Sequence, residues 1–158
     1  MYQWLLFLHI AAVLGFMLAH GVQVSIIWKQ RSEPDPERNL ALFEALPSGL
    51  TIRIMAGVVV LTGFLLVYSL NLWGRWWVWL SLLLLGAVWI LMLRFGGDYY
   101  NLIEQKAQQA IAARGLDKES SAMAEYHQAR LAWHPIAMTA VGFIGLGAIL
   151  WLMIFKPF

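Results

Sequence analysis

Residues 4–28, WLLFLHIAAVLGFMLAHGVQVSIIW, form an apolar run long enough to cross a bilayer as one helix. The run carries two ionisable side chains, His9 and His20. At 1.5 Å rise and 100° per residue, their spacing puts them about 16 Å apart along the axis but only about 20° apart around it. An ionisable group inside an apolar span is costly to leave unpaired, so it points to a functional site before it points to a reaction.

Three further runs of the same kind follow, at 54–72, 76–95 and 136–155. A chain of 158 residues that is 61% hydrophobic and 13% charged has no polar surface under which to hide four such helices. Its mean hydropathy is +0.66. The fold expected is an all-α polytopic membrane protein: one domain over 1–158, a bundle of four transmembrane helices with short cytoplasmic amphipathic helices. The first run lacks a basic leader and is too long for the core of a cleavable signal.

Cysteine is absent, which excludes disulfides, thiolate nucleophiles and iron–sulfur ligation. A net charge of +2 gives no reason to expect nucleic acid. Its distribution is more informative: nine of the eleven Lys and Arg fall in 29–53 and 94–130, leaving only Arg75 and Lys156 elsewhere. The positive-inside rule therefore puts the loops 29–53 and 96–134 in the cytoplasm and both termini outside, in a cytoplasmic (inner) membrane.

Within the first run, Ala11, Gly15 and Ala19 recur every four residues, a stripe that lets another helix approach closely on a face distinct from that of the histidines. GFIGLGAIL gives the fourth run a similar face. The partners expected are the lipid bilayer and, through these faces, other membrane subunits or further copies of the chain. Pro34 and Pro36 end the first helix, Glu37 to Leu46 reads as an amphipathic surface helix with a solvated charged face, and Pro47–Gly49 ends it. Residues 98–132 read as a helical hairpin broken near Gly115, its first arm continuing the third span. Pro135 suits the first turn of the fourth. The tryptophans of NLWGRWW read as an interfacial belt.

The residues that could carry chemistry gather, by this reading, toward the cytoplasmic half: His20 and Gln23, Arg53, Arg94 and His134, with a methionine from each span (Met17, Met55, Met92, Met138). His127 reads as an ordinary exposed side chain. Imidazole is a good axial ligand for haem b and arginine pairs with propionates, so His20 with His134 is the candidate ligand pair, and Arg53 and Arg94 the candidate propionate partners. His134 sits about 10 Å nearer the cytoplasm than His20 if each residue rises 1.5 Å, a gap that a bent fourth helix would have to close. Copper is the alternative, since thioether and imidazole suit Cu(I) and Met17/His20 and His134/Met138 each share a helix face, with His9 a further metal-ligand candidate. A purely structural accessory subunit is the third reading. No intramembrane acid, no Ser/His/acid set and no phosphate-binding glycine loop is present, so protein-based catalysis is not expected.

LHIAAVLGFMLAHGVQ, EPDPERNLALFEAL and NLWGRWWVWLSLLLLGAVWILM together resemble uncharacterised bacterial four-helix membrane proteins, distantly similar to the membrane domain of copper-resistance D proteins. The resemblance extends to about Tyr100. It implies a four-helix bundle with a histidine near the outer end of the first helix, at His9, and a deeper His–Gly pair, at His20–Gly21. It implies no activity. The chain has fewer spans than the full copper-resistance domain.

Overall fold

The structure, a computed structural model, describes residues 2–46 and 49–157. Every regular element among them is helical: α1 (Tyr2–Ser32), α2 (Pro36–Glu44), α3 (Gly49–Ser69), α4 (Trp76–Ala112), α5 (Glu119–Arg130) and α6 (His134–Phe155). Four of these helices, α1, α3, α4 and α6, are long and apolar enough to cross a membrane. Their most apolar windows are at most 17% buried within the chain. Side chains as large as Trp4, Leu18, Leu83 and Ile144 point away from the protein, which only an apolar surrounding or a partner would tolerate on this scale.

Helix limits follow the local chemistry. α1 runs through Ser32 before the Pro34/Pro36 pair, and Asp35 caps α2 by accepting from the Glu37 backbone N–H. α4 does continue the third apolar run, to Ala112. The break before α5 contains Gly115 at φ 74°, a left-handed conformation suited to glycine. Pro135 sits in the first turn of α6. The expected stop at Pro47 and Ser48 lies outside the described residues.

The four long helices associate as two antiparallel pairs, α1 with α3 and α4 with α6. Small residues set the second pair's register. A Cβ on Gly96 would meet Met138, one on Gly142 would meet Met92, and one on Gly145 would overlap Val88. In the first pair, Gly15 faces Met55 and Gly63 faces His9. The stripe residue Gly15 and His9 therefore both meet α3, although helical spacing placed them on separate faces. Much of the glycine pattern is thus used inside the chain.

The pairs meet at both ends: at one, which we call the capped end, α2 and α5 pack; at the other, the open end, which holds Tyr2, the α3–α4 turn and Lys156, Val67 of α3 packs with Trp77 and Val78 of α4 and Leu152 of α6. α2 lies against α4 through Phe43 on Tyr100 (ring centroids 5.5 Å apart), and Asp35 and Glu37 pair with Arg114. This helix is therefore docked, and its acidic residues are not simply a solvated face. Beneath it, fully buried Asn39 donates through Nδ2 to the Gln30 carbonyl at 2.8 Å and to the Tyr126 hydroxyl at 2.8 Å. Tyr126 in turn donates to the Glu33 carbonyl at 2.9 Å. Burial holds the Tyr126 phenol above its ordinary pKa, with the Asn39 hydrogen bond opposing, so it stays a neutral donor. Arg130 donates to the Arg31 carbonyl at 3.1 Å, and Arg31 to that of Ala132. One polar knot ties α1, α2, α5 and the entry to α6.

Removing the Tyr126 hydroxyl leaves an Asn39 N–H and the Glu33 carbonyl unpaired. Tyr126→Phe is expected to destabilise the protein by about 1–3 kcal/mol, read as a lower thermal midpoint in detergent; an unchanged midpoint would contradict the knot.

Candidate functional site

Between the two pairs lies a cleft of about 1120 Å³, bordered at the open end by the cluster of Val67, Trp77, Val78 and Leu152. Its walls are almost wholly apolar, for instance Val60, Phe64, Leu85 and Trp89. Gly57 and Gly86 also line it, and a Cβ at either would meet nothing within 4 Å. Polar groups are few: His9 and Ser81, with Arg53 toward the capped end and Tyr2 and Lys156 at the open end. Ser81 is spent on its own helix, donating to the Trp77 carbonyl at 2.7 Å. His9 is the exception.

The His9 Nδ1 lies 2.9 Å from the Thr62 hydroxyl. Thr62 reaches the Val58 carbonyl at 2.7 Å and the Val59 carbonyl at 3.2 Å; with its proton on either, its oxygen accepts from His9. In that arrangement the imidazole proton is on Nδ1 and Nε2 keeps a lone pair. Gly63 lets the ring lie close to α3, where a Cβ would stand 3.3 Å from His9 Cε1. The Val59 backbone carbonyl is a further hydrogen-bond partner of this ring. A buttressed imidazole lining an apolar cleft is the arrangement metal-binding histidines adopt.

His20 is differently housed. Its ring stacks on Phe16, centroids 6.4 Å apart and planes 8° apart. Its Nε2 is buried without a hydrogen-bond partner and faces Gly142, where a Cβ would come within 2.6 Å of that nitrogen and 3.0 Å of Met92 Cε. α6 and Met92 wall it in, leaving no room for a planar ligand. His134 stacks on Trp133 at 4.7 Å and neighbours Tyr99 at 6.3 Å. It lies eight residues from Gly142 along the unbroken helix α6, about 12 Å nearer the capped end than His20. The pair from which a bis-histidine site was expected is therefore not brought together.

The remaining candidates also part company. Met17 lines the cleft while His20 does not. Met138 packs against Gly96 in the buried cluster with Tyr99 and Ile103. Arg94 pairs with Asp98 (Nε–Oδ2 3.6 Å) on an exposed surface and does not reach the cleft; Arg53 does. Half-buried His127 accepts from Arg130 Nε at 3.2 Å. Among the described residues no group of three or more His, Asp or Glu is placed to hold a metal ion.

Sequence reasoning missed Met153, which lines the cleft on α6. His20 meets α6 at Gly142, and both helices run eleven residues from there toward the open end, to His9 and Met153 respectively, so the thioether stands at the level of His9. No protein-family model, no curated protein and no solved structure matches the chain.

Two outcomes follow from this geometry. Nitrogen-15 spectra of histidine-labelled protein are expected to show His9 as the Nδ1–H tautomer, a preference that Thr62→Val relaxes; an Nε2–H ring would contradict the assignment. Gly142→Ala forces His20 and Met92 apart and is expected to cost about 1–3 kcal/mol, whereas Gly86→Ala, pointing into open space, leaves the thermal midpoint unchanged or raises it.

Proposed function

We propose that this is a multi-pass membrane protein that holds b-type haem in the cleft, with His9 as its axial ligand, and that it serves electron transfer. The carrying observation is that His9, buttressed by Thr62 on α3, lines an apolar cavity; with its proton held on Nδ1, its Nε2 is available to a ligand. Bilayer insertion is supported by four long apolar helices whose faces are left uncovered by the chain. Nine of the eleven Lys and Arg belong to the capped end, which supports placing that end in the cytoplasm.

The residues fit the group by chemistry as well as by space. A flat apolar ligand suits facing walls that carry Gly57 and Gly86 where side chains would otherwise protrude. The cavity is at the upper end of ordinary small-molecule sites, which run to about 1000 Å³. Haem, when bound, supplies one-electron exchange. Thr62 fixes the ring of His9 and, by accepting its Nδ1 proton, raises the donor strength of Nε2. Met153 offers a thioether on the facing helix, and the apolar walls exclude water. The pairs expected for copper are not assembled, since Met17 lines the cleft and His20 does not, and Met138 packs against Gly96.

The test is the absorption spectrum of detergent-purified protein loaded with haem, oxidised and dithionite-reduced. The wild type and His20→Ala are expected to show a Soret band with reduced α and β bands. His9→Gly is expected to lose them and to recover them on adding imidazole, which separates ligand loss from misfolding. A featureless wild-type spectrum, or bands that survive His9→Gly and vanish in His20→Ala, would overturn the reading.

A further inference from the structure

Two cations at the open end make no ion pair with an Asp or Glu among the described residues. Arg75, in the α3–α4 turn, and Lys156, just past α6, line one pocket of about 290 Å³ together with Leu70, Leu72 and Trp77. Leu70, Leu72, Trp77 and Lys156 also line the main cleft, so the small pocket is its continuation. The Lys156 ammonium lies 5.9 Å from the centre of the Trp77 ring, a contact that favours a located cation. Between Glu44 and Asp98, and again from Leu131 onward, the sequence contains no Asp or Glu, and the first 32 residues contain none either. Two like charges sharing a pocket beside apolar walls repel each other, and a doubly anionic group between them would relieve that repulsion.

We propose that Arg75 and Lys156 seat the carboxylates of the cleft's ligand, so that the haem lies with its propionates at the open end. The inference rests on the haem reading above. Level decides between the cations that border the cleft. Lys156 is three residues beyond Met153, about 5 Å past the level of His9, and Arg75 lies on the same small pocket. Arg53 is nine residues from Thr62 in the other direction, about 14 Å away along α3. Arg94 does not border the cleft at all. Propionates pointed toward the capped end would have one distant cation; pointed toward the open end they have two near ones. The polar edge of the ligand would then meet the outer headgroup layer, with the tetrapyrrole body among the apolar walls.

The experiment compares binding of haem and of its dimethyl ester, which has the same ring and iron but no carboxylates, to the full chain in an uncharged detergent. Wild-type protein is expected to bind haem about ten- to a hundred-fold more tightly than the diester. The Arg75→Gln/Lys156→Gln double variant is expected to bind haem no better than the diester while its diester affinity is unchanged. That unchanged affinity also shows that the variant is folded. Equal wild-type affinities for the two ligands, or a loss in the variant that falls equally on both, would overturn the carboxylate seat and leave His9 ligation standing. Failure of both ligands to bind wild-type protein would overturn the haem reading and the seat with it.

Discussion

The buried hydrogen-bond knot at the capped end is the constraint on which the architecture depends. Apolar helices in an apolar surrounding gain little from covering one another's side chains, so specificity has to come from close small-residue contacts and from polar groups with few alternatives. Asn39, Tyr126 and the Arg31 and Arg130 guanidinium groups supply such interactions at one end of the molecule only. At this end α1, α2, α5 and the entry to α6 converge. Beyond it each pair is held by its own contacts, such as Gly15 against Met55 or Gly96 against Met138, and at the open end Val67 of α3 packs with Trp77 and Val78 of α4 and Leu152 of α6. The cleft lies between these two fastenings.

The same accounting separates the two histidines of α1. Both are single polar groups in an apolar helix, and neither meets a carboxylate. His9 is buttressed by Thr62 and lines the cleft, whereas His20 has its Nε2 pressed against the backbone of Gly142. A donor atom is useful to a ligand only where the ligand can reach it. Burial made His20 the more conspicuous residue and also the less serviceable one.

Much of the fold was legible from sequence because it rests on local chemistry. The lengths of the apolar runs gave the four long helices, Pro34 and Pro36 the end of the first, and Gly115 the break between α4 and α5. The pairing of α1 with α3 and of α4 with α6 was not legible. Several faces carry small residues at similar spacing, and only their mutual fit chooses between them. The different settings of the two histidines were not legible for a related reason: His9 and His20 share a helix face, so periodicity could not foresee that one meets α3 and the other α6. Thr62 gave no warning either, since a threonine in an apolar helix usually bonds only to its own backbone. The knot left a faint signal in Asn39, a polar residue on the inward face of an amphipathic helix.

Because the chain has no cysteine, a single nitroxide label can report where a ferric haem sits through the relaxation it suffers. Leu61 lies beside Thr62 on the cleft wall, and Leu93 is exposed on α4 next to Met92, at the level of His20. These levels differ by about 16 Å along the helices. Faster relaxation at Leu61→Cys than at Leu93→Cys on adding haem is the expected result. Stronger relaxation at Leu93→Cys would place the iron beside His20 and contradict the account.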